Sequence, residues 1–240
     1  MARSFEGRTV VVTGGTGSLG CAVTQALVDA GAVVHIPVFE ATTPSAFELA
    51  AHERVHLRHG VDLSEEPQVV DYYAAVGATI GDGAGLWASI HLAGGFSMAP
   101  LLETSLAELE RMWRMNLASC FLCCREAVRL MRGAGEGGRL VNVAARPALI
   151  PTAGMVAYAT AKAGVAALSS ALAEELADEG IWVNAIAPSV FDTPANRAAM
   201  PNADHARWPS TPALAAAIAE LASPANRCMR GAVVPVYGRS

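Results

Sequence analysis

Hydrophobic positions along this chain follow two alternating rhythms. Short β-branched or apolar runs have the length of strands: Thr9–Thr13, Val33–Val38, Val55–Val61, Leu86–Ala93, Arg139–Ala145, Trp182–Ala187 and Ala232–Val236. Between them, apolar residues recur three and four apart over Cys21–Ala30, Glu65–Thr79, Glu103–Met131, Ala157–Leu176 and Thr211–Ala222, which predicts helices. Strands alternating with helices predict an α/β fold: a doubly wound parallel sheet of about seven strands with helices on both faces. No repeat or linker interrupts the pattern, so residues 1–240 are expected to form one domain. The irregular stretch 189–209 is expected to act as a lid over a substrate.

Composition narrows the function. Of the 240 residues, 52% are hydrophobic and 16% charged, which suggests a large core and a buried subunit interface in a homodimer or homotetramer. The net charge of -5 without a Lys/Arg block argues against nucleic-acid or anionic-membrane partners. Residues 83–102 lack formal charge, but Gly85, Gly94, Gly95, Pro100 and His91 break them, so they read as strand and loop. The N-terminus has no apolar segment of a secretory signal, and five cysteines, an odd number, suggest a reducing, cytoplasmic setting. Cys120, Cys123 and Cys124 read as buried small apolar residues; no further ligand for a metal is evident, and no metal is expected. His52-Glu-Arg-Val-His56 spells a zinc motif, but His56 opens a strand, where positions four apart are separated by more than ~10 Å.

Three stretches carry chemistry. Thr13-Gly-Gly-Thr-Gly-Ser-Leu-Gly20 lies between a strand and a helix, where glycines allow close approach to a pyrophosphate and a helix N-terminus offers free N–H groups. This makes the fold Rossmann-like. Beyond the second strand no Lys or Arg is close by, which favours NAD(H) over NADP(H); Glu40 is a candidate for the ribose hydroxyls, although Val38 falls at the usual acidic position. Tyr158 and Lys162 stand at i and i+4 on a predicted helix, so phenol and ammonium share a face, and a fixed cation is expected to lower the phenol's pKa.

Together these landmarks resemble the short-chain dehydrogenase/reductase family over nearly the whole chain. The resemblance implies that Gly14, Thr16, Gly17, Ser18, Leu19 and Gly20 cradle the cofactor and that Asp62 and Leu63 meet the adenine. Ala93-Gly94-Gly95 then lie beside the nicotinamide half, and Pro188, Val190 and Thr193 follow near the carboxamide. It implies hydride transfer with a small carbonyl or alcohol: Tyr158 is the acid/base, Lys162 activates it and holds the ribose, and Asn116 supports a water relay to Lys162. Helix pairing through Glu103–Met131 and Ala157–Ala177 would make the oligomer.

The departures are as informative. The loop reads TGxxGxxG, the spacing of the family's longer branch, and Leu92, Ala161 and Ser189 depart from its usual residues. Ala145 occupies the position of the catalytic serine, whose hydroxyl is typically worth ~3–4 kcal/mol at the transition state. Ser97 or Thr152 are candidate replacement donors. Ala93-Gly-Gly-Phe96 with a serine-less YxxxK also resembles the dihydropteridine-reductase branch, which uses NADH. A dinucleotide-binding sensor or structural subunit is the alternative reading. Phe96, Ser97, Met98, Ala145, Met155 and Trp208 are candidates for the substrate pocket, and Arg146 for an anionic substrate group.

Overall fold

The computed structural model describes residues 4–81 and 84–240. Asp82 and Gly83, in the loop expected at 81–85, and Met1 to Arg3 lie outside the described residues. Seven strands form one parallel sheet: β1 (Thr9–Thr13), β2 (Val33–Val38), β3 (Val55–His59), β4 (Leu86–His91), β5 (Gly138–Val143), β6 (Ile181–Pro188) and β7 (Val233–Val236). Their spatial order is 3-2-1-4-5-6-7, so the winding reverses between β1 and β4, and a crevice opens beyond their C-terminal ends. The central strands are buried on both faces, as a sheet covered by helices on each side requires.

Among the described residues eight α-helices surround the sheet: α1 (Ser18–Asp29), α2 (Glu66–Thr79), α3 (Leu106–Trp113), α4 (Ser119–Ala134), α5 (Arg146–Leu149), α6 (Val156–Glu175), α7 (Pro194–Ala199) and α8 (Thr211–Ala222). α1 and α8 pack together on one face, in a core that includes Val23, Leu27, Ile36, Leu214 and Ile218. On the other face α2, α4 and α6 enclose Val69, Tyr73, Cys123, Ala127 and Val165. Helix α6 is long and apolar enough to cross a membrane by length and composition alone, but it is part of this core and packs on α3, α5 and β6.

The long helical stretch predicted over Glu103–Met131 is subdivided. α3 and α4 are joined by a single wide π turn, Arg114–Ala118, which holds Asn116. An inserted residue of this kind turns a side chain out of the regular helical ladder. The other corrections are local. α1 begins at Ser18, three residues before Cys21, because extended Gly17 serves as its N-cap. β3, β4 and β5 end two residues early, and 189–209 contains α7 and a 3-10 turn, His205–Arg207.

Candidate active site

Gly14 leaves β1 with φ 66°, and a Cβ there would lie 2.9 Å from the backbone nitrogen of Ala93. That contact brings the ends of β1 and β4 together, reinforced by Thr13 Oγ1, which accepts from Ala93 N at 3.2 Å. A Cβ on Gly20 would sit 2.1 Å from the Gly14 carbonyl, so helix and turn touch where only glycine fits. Gly17 caps α1 without a side chain, and the first turn carries no acidic residue. The N–H groups of Ser18, Leu19 and Gly20 therefore face the crevice with the positive end of the helix dipole behind them. Leu19 itself is buried in the core. Asp62 closes β3's exit by accepting from Ser64 N at 2.8 Å and Ser64 Oγ at 2.7 Å, both at Oδ1. Leu63 packs into the core beside it. Val38 is buried at the end of β2, whereas Phe39 and Glu40 beyond it are exposed.

Two of the side chains predicted for the chemistry, Asn116 and Lys162, meet around Gly94. A Cβ on Gly94 would stand 2.5 Å from Asn116 Oδ1 and 3.4 Å from Lys162 Nζ. Asn116 is buried and clamps the next residue: its Oδ1 accepts from Gly95 N at 3.2 Å, and its Nδ2 donates to Gly95 O at 3.1 Å and Met112 O at 3.0 Å. Its amide thus fixes the Ala93-Gly94-Gly95 turn, and its link to Lys162 runs through Gly94. Lys162 lies on the buried face of α6 and donates to the Val143 carbonyl at 2.8 Å. No motif search finds that acceptor, because it is backbone. Burial lowers the Lys162 pKa to about 8.

Tyr158, one turn earlier, has no hydrogen bond to Lys162 here. Burial pushes its pKa up to about 12, which reverses the lowering that the i, i+4 spacing predicts. The ammonium is directed at Val143, so desolvation governs both groups. Phe96 meets the Tyr158 ring edge-on at 5.0 Å. Ser97, by contrast, is committed elsewhere: with the Arg111 guanidinium foremost, its hydroxyl helps hold the Glu108 carboxyl down at about 2. Thr152 is exposed and donates to Ile150 O at 3.4 Å. Ala145 is buried at the N-cap of α5, and Met155 is the N-cap of α6, with Met98 packed near Gly154 beside it. Trp208 meets the His205 ring at a tilt, 4.6 Å between centroids, within 189–209. Thr193 caps α7, accepting from Asn196 N at 3.1 Å and keeping its own hydrogen to donate. Val190 is partly exposed beyond Pro188, and Ser189 Oγ donates to Tyr237 O at 3.1 Å.

Behind Lys162 lies a buried polar chain that periodicity does not reveal. Tyr73 OH bonds Ser89 Oγ at 2.8 Å, Ser89 bonds His91 Nε2 at 2.8 Å, and His91 Nδ1 bonds Asn142 Oδ1 at 2.7 Å. Asn142 Nδ2 continues to Ser169 Oγ at 2.9 Å. The fold supplies the third ligand type that the cysteine spacing lacks: donor atoms of His91, Cys120 and Cys124 lie within 4.8 Å of one another. Both imidazole nitrogens are already engaged in the chain, which satisfies the group as a hydrogen-bonded network. His52 and His56 of the zinc-like motif share no helix; His52 follows a 3-10 turn and His56 lies in β3. A cavity of about 470 Å³ opens toward the N-terminal ends of the strands, among Gly7, Thr9, Val33, His35 and His56, away from Tyr158.

A glycine-cradled helix N-terminus at the winding reversal, with a Tyr–Lys pair across the same crevice, defines a dinucleotide-dependent dehydrogenase. Residues 8–204 match the family model described as short chain dehydrogenase, and the chain belongs to that family. It is 34% identical to cis-4-hydroxycyclohexanecarboxylate dehydrogenase of Sinomonas cyclohexanicum, over 99% of this chain and 98% of that one. It is 29% identical to D-threitol dehydrogenase of Mycolicibacterium smegmatis, over 98% and 93%. Among solved structures, a short-chain type dehydrogenase/reductase from Mycobacterium ulcerans superposes with a TM-score of 0.88 at 25% identity, over 98% of this chain and 90% of that one. The protein is accordingly a nicotinamide-dependent oxidoreductase, and the non-catalytic reading is not favoured.

Proposed function

We propose that the protein interconverts a small carbonyl compound and its alcohol with NAD(H), using Tyr158 as the proton donor and acceptor. The observation that carries this reading is the convergence of Lys162 and Asn116 on Gly94, across the crevice from the uncapped start of α1. The close contacts of Gly14 and Gly20 hold the turn tight against the start of α1, whose first N–H groups have no side-chain cap and no acidic neighbour in that turn, so the residues fit a pyrophosphate. Gly14 to Gly20 would hold the phosphates, Asp62 and Leu63 the adenine, and Ala93, Gly94, Gly95, Pro188, Val190 and Thr193 the nicotinamide half. The bound nicotinamide supplies or accepts the hydride. Tyr158 gives its proton to the substrate oxygen in reduction and takes it back in oxidation. Lys162 orients the ribose and supplies positive charge. Asn116 holds the Gly94-Gly95 turn in place.

Ala145, in this reading, takes the position that the family resemblance assigns to a catalytic serine, and Ser97 is not its replacement because Glu108 engages it. Phe96, Met155 and Trp208 would line the substrate space, and 189–209 would close over it. Its base is pinned, since Asp192 N donates to Pro209 O at 2.9 Å and Asp192 pairs with Arg197. The preference for NAD(H) rests on the absence of Lys and Arg between Val38 and Glu53. Fluorescence titration is expected to give at least ~10-fold tighter binding of NADH than NADPH; tighter NADPH binding would overturn the preference. A screen of ketones and their alcohols with both cofactors tests the activity.

An oligomer fits the same reading. Leu102, Leu106, Trp113 and Phe121 are large apolar side chains left exposed along α3, α4 and the approach to them. We expect Trp113→Glu to convert a dimer or tetramer to smaller species in light scattering; a wild-type monomer would sink this. Five free cysteines accord with a reducing cytoplasm.

A further inference from the structure

Arg146 is the first residue of α5 and directly follows Ala145. It is half-buried, and its guanidinium lies 5.4 Å from the centre of the Tyr237 ring. Tyr237 follows β7, and its carbonyl is held by Ser189, which follows β6. The cation therefore reaches from the exit of β5 across to β7, at the end of the sheet where Tyr158 and Lys162 stand.

Its lack of a partner sets it apart. Ten described arginines pair with a carboxylate. Arg139, Arg207 and Arg239 donate to backbone carbonyls. Among the described residues Arg146 has neither, only the face of Tyr237; Arg227 also has neither but is exposed. Asp192, the acidic residue beyond β6, is already taken by Arg197. A partly desolvated guanidinium without an anion is costly to hold and matches a carboxylate with two parallel hydrogen bonds. In a chain of net charge -5, such a local cation also offsets the general repulsion of an anionic ligand.

The same corner lacks a second hydroxyl to share the substrate oxygen with Tyr158, since Ala145 has none, Ser97 serves Glu108 and Thr152 faces outward. Binding energy from a part of the substrate that does not react can hold the carbonyl in place instead. We infer that Arg146 is a specificity-determining residue that binds the carboxylate of the substrate, so that the enzyme acts on oxo- and hydroxycarboxylic acids. This rests on the dehydrogenase reading of the Tyr158 site.

The test compares acetoacetate, levulinate and 4-oxocyclohexanecarboxylate with their methyl esters, using wild type, Arg146→Met and Arg146→Lys. Wild type is expected to prefer at least one acid over its ester by ~10–100-fold in kcat/KM, the range of a charged hydrogen-bonded pair. Arg146→Met should raise KM for the acid to that of the ester, leave the ester and NADH binding unchanged, and be partly repaired in Arg146→Lys. Equal losses on acid and ester, or an unchanged acid KM in Arg146→Met, would overturn the inference. Should wild type reduce none of the six, while the wider screen of ketones and alcohols finds a substrate without a carboxylate, the inferred substrate class is overturned; should that screen find none either, the Tyr158 reading fails, and the unreactive cyclohexanecarboxylate decides on Arg146. A thermal shift in wild type that disappears in Arg146→Met supports carboxylate binding, and no shift in wild type overturns it.

Discussion

Tyr158→Phe is expected to lower turnover of any identified substrate by ~10²–10⁴-fold while leaving the fold and cofactor binding intact. The phenol hydroxyl has no hydrogen-bond partner among the described residues, so its removal costs the folded state little. The ring keeps its edge-on contact with Phe96 at 5.0 Å. Thermal unfolding of the variant should therefore match wild type closely, and NADH titration should be unchanged. The pH dependence gives a second readout. With its pKa pushed up to about 12 by burial, Tyr158 stays protonated through neutrality, ready to donate in reduction. Oxidation needs the phenolate, whose fraction rises as pH rises toward that value. kcat/KM for the alcohol should climb with pH in wild type and lose that climb in Tyr158→Phe. A variant that retains full turnover would remove Tyr158 from the chemistry.

The sheet was legible because its strands are short β-branched runs and its helices keep an apolar stripe, so β1, β2 and α8 match their expected limits residue for residue. Gly14 and Gly20 were legible for a similar reason, since a backbone conformation or a close contact demands the residue type itself. What escaped the pattern depends on contacts between distant segments. Nothing local to Asn116 announces a π turn; it shows only when the amide is seen clamping Gly95, twenty-one residues earlier in the chain. The Val143 carbonyl that holds Lys162 carries no side-chain signal at all. Ser97 looked free as a hydroxyl near the site until α3 brought Glu108 to it. His91 and Cys124 meet at 3.4 Å only because β4 and α4 pack face to face.

These long-range contacts share one consequence. The site is held by groups that spend their hydrogen bonds on the scaffold, Asn116 on Gly95 and Lys162 on Val143, and so keep their positions without help from a ligand. Such rigidity carries a cost where the group is charged, because an ammonium under the sheet's end gives up most of its hydration.

That cost gives the second large effect: Lys162→Met should abolish turnover yet raise the stability of the ligand-free protein. Burial moves the Lys162 pKa from 10.5 to about 8, a penalty of order 3 kcal/mol at neutral pH by the usual conversion. Methionine removes that penalty and fills the same buried volume with an unbranched chain, but it leaves the Val143 carbonyl without its donor, which costs ~1–2 kcal/mol. The balance is a gain of about 1 kcal/mol, or ~2–4 °C in Tm for a chain of this size. Between pH 8 and 10.5 the unfolded chain still holds the lysine proton that the folded protein has released, so wild-type stability rises with pH across that window. The variant has no such group and lacks the rise. Its advantage should therefore be largest at or below pH 7 and shrink as pH passes from 8 to 10.5, vanishing or reversing in sign above it. Differential scanning fluorimetry across that range measures it directly, and a variant less stable than wild type at pH 7, with a gap independent of pH, would mean that Lys162 is held as a structural donor and not under electrostatic strain.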